Sequence, residues 1–309
     1  MFNKFKMILL AAGGILYSTS AFSQVTGAGA TFPYPVYAKW AQEYKNKTGN
    51  IINYQSIGSG AGIKQIIAKT VTFGATDMPL SQEELDKFGL VQFPMVMGGV
   101  VLSIKVNGVT HLTLNSTLIS DIYLGKIKKW NDPKIKAFNP TIDFPDVAIT
   151  PSYRSDGSGT TYLFTRYLAN NSSEFQNKVG VGTSVMWPIG LGSKGNEGMA
   201  NNVKILNGSI AYIEYAYAKQ NKLTTVDIKI NDKVVSPGRL TFQSGSWPIT
   251  ALTYILMHKK SDNLVAKTEA LKFFKWALDN GDKIVDELDY IPLSNDDKDL
   301  NIKLWQTMN

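Results

Sequence analysis

The chain has 309 residues, no cysteine, two histidines and a formal charge of +7. Without cysteine there is no disulfide framework, no thiolate metal site and no lipid anchor on an N-terminal cysteine. The modest basic excess, exemplified by Lys126, Lys128 and Lys129 dispersed among acids, reads as a solvated face and not as a nucleic-acid surface.

At the start of the chain, Lys4 and Lys6 precede an apolar run from Met7 to Tyr17, and Ala21 and Ser23 flank Phe22 in a cleavage-site pattern. Residues 1–23 are therefore predicted to be a secretory signal cut before Gln24, since the run is shorter than the roughly 20 apolar residues needed to cross a bilayer. Removing 23 of the 309 residues leaves 286, with a charge of +5 once both lysines go. A chain of that size exceeds what one core comfortably organises and predicts two lobes in a soluble product.

Strand and helix patterns then alternate, which predicts an α/β class. Gly27 to Pro33 is a glycine-rich turn in which Thr31 is placed to cap a helix through Tyr37, Trp40 and Tyr44. A strand over Asn50–Tyr54 leads to a second turn, Gly58-Ser59-Gly60-Ala61-Gly62, with Ser59 as the expected cap of a helix over Ile63–Lys69. A strand at Phe73–Ala75 follows, and Ser81 to Glu84 has capping-box spacing. Gly98–Val106 reads as a long apolar strand. Arg154 to Thr161 forms a third glycine-rich turn, with Ser158 capping a helix through Phe164 and Leu168. Tyr212, Tyr215 and Tyr217 mark a strand-to-helix junction, better explained by packing than by a surface role. Trp247–Met257 is a second long strand. Asn263–Leu278 reads as a helix with Leu264, Leu271, Phe274 and Leu278 on its apolar stripe, and Leu300–Trp305 as a last helical segment. The long strands at Gly98 and Trp247 are the expected crossings between the lobes.

The three glycine-rich turns share one design, a close-approaching backbone feeding a helix N-terminus. Such an end offers unpaired N–H groups and about half a positive charge, so it suits an anion. Any one turn is unspecific; three suggest one enclosed anion. The second turn is not a nucleotide-phosphate loop, because G-x-x-x-x-G-K-[ST] would need glycine at Ile63 and Ser or Thr after Lys64. His111 and His258 are far apart and lack zinc-site spacing, and no G-x-S-x-G elbow marks a serine nucleophile. No metal or cofactor is expected.

The segments TGAGATFPYPVYAKW, NYQSIGSGAGIKQII, FGATDMPLS, DIYLGKIKKWND, YRSDGSGTTYLFTRYL, WPIGLGSKGNEG, GSIAYIEYAYAKQN and WPIT strongly resemble the periplasmic phosphate-binding components of bacterial ABC-type phosphate importers. The likeness runs from Thr26 nearly to the C-terminus. It implies a two-lobed periplasmic binding protein fold of type II-like architecture, with the ligand in the interlobe cleft and two crossing hinge strands. Lobe I is expected to be discontinuous, from residues 24–105 and 247–309, with lobe II from 106–246. The resemblance assigns phosphate contacts to Thr31, Phe32 through its backbone, Ser59, Asp77, Arg154, Ser158, Gly159 through its backbone, and Thr160. It implies a monomer in the periplasm that meets the importer's membrane subunits transiently, no nucleic acid as partner, and no catalysis. The segment between Pro237 and Trp247 looks shorter than the family pattern, which bears on the outer surface of lobe II and not on the site.

These residue types suit phosphate. A buried multiply charged anion needs many donors to replace its water, and hydroxyls, backbone N–H groups and the forked guanidinium of Arg154 supply them. Asp156, two residues on, is placed either to orient Arg154 or simply to shape the turn. Asp77 repels an anion unless that anion brings a proton, so in the pocket it selects protonated phosphate over sulfate; outside the pocket it only supports the turn before Pro79. Two alternatives remain open, an exported phosphatase using the same anion site and a binding protein for another oxyanion.

Overall fold

The computed structural model describes residues 25–308; the expected signal segment 1–23 lies outside them. In chain order the strands are β1 Val25–Gly29, β2 Ile52–Ser56, β3 Phe73–Thr76, β4 Leu90–Lys105, β5 Thr113–Leu114, β6 Thr150–Arg154, β7 Leu191–Ser193, β8 Ser209–Glu214, β9 Thr224–Thr225, β10 Asp227–Ile230, β11 Lys233–Val235, β12 Thr250–His258 and β13 Ile291–Pro292. The helices are α1 Tyr34–Thr48, α2 Ser59–Ile67, α3 Gln82–Phe88, α4 Ser116–Tyr123, α5 Pro133–Phe138, α6 Gly159–Asn171, α7 Ser173–Lys178, α8 Gly195–Ile205, α9 Tyr215–Gln220, α10 Arg239–Gln243, α11 Leu264–Asn280, α12 Asp282–Glu287 and α13 Asn295–Gln306.

The main sheet runs β2-β1-β3-β12-β4-β8-β6-β7, and a small second sheet runs β11-β10-β5. β1, β2 and β3 are parallel, as are β6, β7 and β8, while β4 and β12 run antiparallel to their neighbours. β4 joins the halves. Its first part pairs with β12, from Leu90 opposite His258 to Gly99 opposite Thr250. From Val100 to Lys105 its partner is β8. The second crossing lies alongside: Val100 N donates to Ile249 O at 2.8 Å, and Trp247 Nε1 donates to Val100 O at 2.8 Å. The fold is thus a mixed α/β structure of two half-sheets with two adjacent crossings, and both expected crossing segments occupy that position.

Local chemistry explains most boundaries. α1 ends where Gly49 adopts φ 79° and bonds back to Lys45 O, so β2 begins at Ile52, later than the expected Asn50. α3 has the expected capping box between Ser81 and Glu84. α11 is capped by Asn263, whose side chain accepts from Ala266 N. Its buried face is Ala270, Phe273, Phe274, Ala277 and Leu278. Leu264 is 61% exposed, which corrects the expected stripe: ten residues at about 100° each set it roughly 80° away from Phe274. Leu300 is exposed for the same reason, while Trp305 on α13 is buried.

Aromatic residues fill both halves of the core. On one side Phe93 meets Phe274 at 5.6 Å and Trp305 at 5.2 Å; on the other Phe164 stacks on Tyr212 at 4.3 Å between ring centroids. Among the described residues no helix is long and apolar enough to cross a membrane.

Candidate anion-binding site

Every expected contact residue lies at or just beyond the carboxyl end of a parallel strand, where ligands collect in open α/β sheets. Thr31 and Phe32 follow β1, Ser59 follows β2, Asp77 follows β3, and Ser158, Gly159 and Thr160 follow β6, which ends on Arg154. Backbone bonds tie three of these loops together: Ala30 N donates to Ala75 O at 2.9 Å, and Ile57 N and Gly58 N donate to Gly29 O at 3.0 and 2.8 Å. The two sides then meet. Gly60 N donates to Gly157 O at 2.9 Å, and Gly159 N donates to Ser59 Oγ at 3.1 Å. Thr31, Phe32, Ser59, Asp77, Arg154, Ser158 and Thr160 are all buried.

The three serine and threonine residues expected to cap helices behave differently. Ser158 is the N-cap of α6, and its hydroxyl accepts from Thr161 N. The other two expectations are corrected. Ser59 is the first residue of α2 with Gly58 in the cap position and no side-chain cap bond; one residue of register turns its hydroxyl towards the cleft, where it meets Gly159 N and, at 3.4 Å, Asp77 N. α1 starts after Pro33 without a side-chain cap, and the hydroxyl of Thr31 instead accepts from Asn196 N at 3.1 Å and Asn196 Nδ2 at 2.7 Å. The Gly159 N–H is engaged by Ser59, and Tyr290 OH donates to Phe32 O at 2.6 Å.

Arg154 is held rigidly. Its Nε donates to Asp156 Oδ1 at 2.7 Å and its Nη2 to Asp156 Oδ2, a fork that fixes the guanidinium plane. Gly195 N adds a bond to Asp156 Oδ1 at 3.0 Å. Burial works against ionisation of Asp156, but the bonds and charge of Arg154, with the Gly195 N–H, outweigh it and hold the carboxyl below its ordinary range. Behind them, Arg154 N donates to Tyr212 OH at 3.0 Å, and the phenol also shares a hydrogen bond with Thr161 Oγ1 at 2.8 Å in which either hydroxyl can donate. Burial pushes the Tyr212 phenol up to about 12, so it stays protonated.

Asp77 sits 2% exposed. Burial pushes its carboxyl up to about 7, against the pull of the Thr253 hydroxyl, the Arg154 cation and the Ser59 hydroxyl. Thr253 has its own bond to Thr76 O, at 3.5 Å. Three buried polar atoms on these residues find no protein partner: Arg154 Nη1, Thr160 Oγ1 and Asp77 Oδ1. Leaving such atoms unpaired costs roughly 1–3 kcal/mol each. Two are donors, and the third accepts when ionised, so the set is suited to an oxyanion that also carries a proton. Among the described residues no cluster of His, Cys, Asp and Glu suits a metal ion.

Asn196, Glu197, Tyr212, Tyr217 and Gly195 were not among the expected contacts. Tyr217 OH donates to Thr31 O at 2.7 Å, and Ser56 Oγ donates to Glu197 Oε1 at 3.1 Å across the cleft. A signal existed for part of this group: Gly192 to Gly198 is a fourth glycine-rich turn opening a helix, but Lys194 stands at its cap in place of the hydroxyl residue that marks the other three turns.

Residues 17–280 match the family model described as a PBP superfamily domain. The chain is 46% identical over 311 aligned residues to phosphate-binding protein PstS of Haemophilus influenzae, covering 92% of this chain and 93% of that one. Among solved structures it resembles the high-affinity periplasmic phosphate-binding protein PfluDING bound with phosphate, at TM-score 0.73 and 19% identity over 90% of this chain and 92% of that one. It also resembles an ABC-type phosphate transport receptor from Vibrio cholerae, at TM-score 0.61 and 19% identity over 87% of this chain and all of that one. At those identities the structural likeness speaks to the fold.

Proposed function

The chain belongs to the PstS family of phosphate-binding proteins within the PBP superfamily, and on that premise we propose that it captures inorganic phosphate between its lobes and hands it to an ABC-type importer. The observation that carries the proposal is the trio of unpaired buried atoms, Arg154 Nη1, Thr160 Oγ1 and Asp77 Oδ1. Two donors and one carboxylate oxygen match an anion that both accepts bonds and donates one.

Ligand contacts are proposed at Thr31, Phe32, Ser59, Asp77, Arg154, Ser158, Gly159 and Thr160. Gly159 N and Ser59 Oγ bond to one another, so both take part by exchanging that bond for one to the anion. Lobe I, from residues 24–105 and 247–309, and lobe II, from 106–246, hinge where β4 changes partners between Gly99 and Val100. We assign the mature protein to the periplasm as a monomer, with residues 1–23 as its export signal. The importer's membrane subunits are its transient partners.

A binding role suits the site better than hydrolysis. The Ser158 hydroxyl caps its own helix, and His258 Nε2 bonds Ile66 O at 2.7 Å, so neither forms the nucleophile and base pair that ester cleavage requires.

Titration calorimetry of the mature protein with phosphate, sulfate and a phosphate monoester, about two pH units above the Asp77 value of about 7 so that its carboxylate is ionised, tests this reading. One-to-one phosphate binding with no sulfate response is expected. Ester binding followed by slow heat of turnover favours a phosphatase, and competition by sulfate favours another oxyanion.

A further inference from the structure

Asn196 stands at the first turn of α8, fully buried, and belongs to none of the proposed contacts. Its side-chain orientation is decided by chemistry, since Oδ1 accepts from the backbone Glu214 N–H at 2.9 Å. The amide nitrogen must then face Thr31, as a flipped amide would set one donor against another. Nδ2 and the backbone N–H of Asn196 therefore both donate to Thr31 Oγ1, at 2.7 and 3.1 Å.

A threonine hydroxyl has two acceptor lone pairs and one proton. Asn196 occupies both lone pairs, and Thr31 is only 2% exposed, so bulk water does not take up the proton. We infer that Asn196 is a positioning residue that fixes Thr31 as a donor: by saturating its lone pairs, it aims the Thr31 hydroxyl proton at the bound anion. This rests on the phosphate reading above and deepens it.

The same residue links three parts of the molecule. Thr31 follows β1 in the first half-sheet, Asn196 opens α8 in the second, and Glu214 lies opposite Val100 where β4 takes up its second partner. Both bonds to Thr31 cross the cleft, so they form only on closure. The hydroxyl is free to turn in the open protein and becomes a committed donor in the closed one. Asn196 thereby makes one contact to phosphate conditional on completed closure, without touching the phosphate itself.

The test is a double-mutant cycle read by phosphate calorimetry, with Asn196→Ala, Thr31→Val and the double variant, each checked by ligand-free melting. Each single change is expected to weaken binding about tenfold, the worth of roughly one hydrogen bond, and the double variant about as much as one alone. Thr31→Ser, which keeps the hydroxyl, is expected to bind within about twofold of the parent. Additive losses, or an unchanged affinity in Asn196→Ala, overturn the inference while leaving phosphate binding intact. A parent protein that ignores phosphate overturns both. Should Asn196→Ala not fold, amide exchange carries the test. Phosphate is expected to slow exchange at the Asn196 and Glu214 N–H groups in the parent and not at Asn196 in Thr31→Val; equal protection in the two overturns it.

Discussion

The cleft is faced on its two sides by the same tripeptide, Gly58-Ser59-Gly60 and Gly157-Ser158-Gly159, yet the two serines do different work. Ser158 is extended at the cap of α6 and gives its oxygen to Thr161 N in its own helix. Ser59 already lies inside α2, and its oxygen goes across the cleft to Gly159 N. A shift of one residue in where the helix begins separates a hydroxyl that stabilises one element from one that holds two lobes together. The charges are divided as well. The second half-sheet brings the Arg154 and Asp156 pair, while the first brings hydroxyls and Asp77, whose carboxyl burial holds up to about 7.

The largest expected effect comes from removing the charge on one side. Arg154→Ala deletes an unpaired buried donor and strands Asp156 without its partner. A charged hydrogen bond is worth about 1.5–3 kcal/mol, so phosphate affinity should fall at least about tenfold in calorimetry, and about 100-fold or more at the upper end. Unchanged affinity would remove Arg154 from the site. Next comes the facing turn itself. Gly58 has φ 95°, and a Cβ there would lie 2.8 Å from Gly157 O across the cleft. Gly58→Ala should therefore resist closure and weaken phosphate binding by tens of fold, about 2 kcal/mol. X-ray scattering should show a radius of gyration that phosphate no longer reduces; normal compaction would mean that the turns do not limit closure.

The contrast between the two serines also marks what was legible in the sequence. Glycine spacing exposed all three turns, and the apolar runs exposed both crossings, because strand pattern and backbone approach are written locally. Which hydroxyl caps a helix depends on a register of one or two residues that the turn composition leaves open: Ser59 lies one residue past the cap of α2, and Thr31 two residues before that of α1. Asn196, Tyr212 and Tyr217 were out of reach for another reason. Their bonds to Thr31 and Arg154 join residues 58 to 186 positions apart, and nothing local requires an asparagine or tyrosine to find such partners. Leu264 shares the apolar character of the stripe but lies roughly 80° round the helix from Phe274, which composition alone does not register.

Asp77 supplies a smaller, pH-dependent effect. Its pKa is raised, so its proton is retained below about 7 and lost above it. The closed cleft is therefore favoured on the acid side and loses that contribution as pH rises through 7. Below that pH Asp77 can donate to a fully ionised oxyanion; above it, a carboxylate faces one. Sulfate competition should thus appear as pH falls through 7 and weaken about tenfold per unit above it. Phosphate, which brings its own proton, should keep binding. Asp77→Asn should abolish the sulfate dependence; a dependence that survives would assign it to another group.

The smallest effect is the one that resolves the serine pair directly. Ser158→Ala removes a cap from a 13-residue helix in the ligand-free protein, a loss of about 1 kcal/mol, and should lower the melting temperature by about 2–4 °C. Ser59→Ala removes no cap, so ligand-free melting should be nearly unchanged. Its main cost falls on the closed form, where Gly159 N loses its acceptor across the cleft, while the long 3.4 Å bond from Asp77 N within the same lobe adds little; phosphate affinity should drop about five- to tenfold. Equal melting shifts in the two variants would mean that Ser59 supports its own lobe and that the cleft closes without it. Melting measured with and without saturating phosphate separates the two, because Ser59→Ala should narrow the ligand-induced shift while leaving the ligand-free value nearly unchanged, whereas Ser158→Ala, at a cap that is also a proposed contact, should lower both.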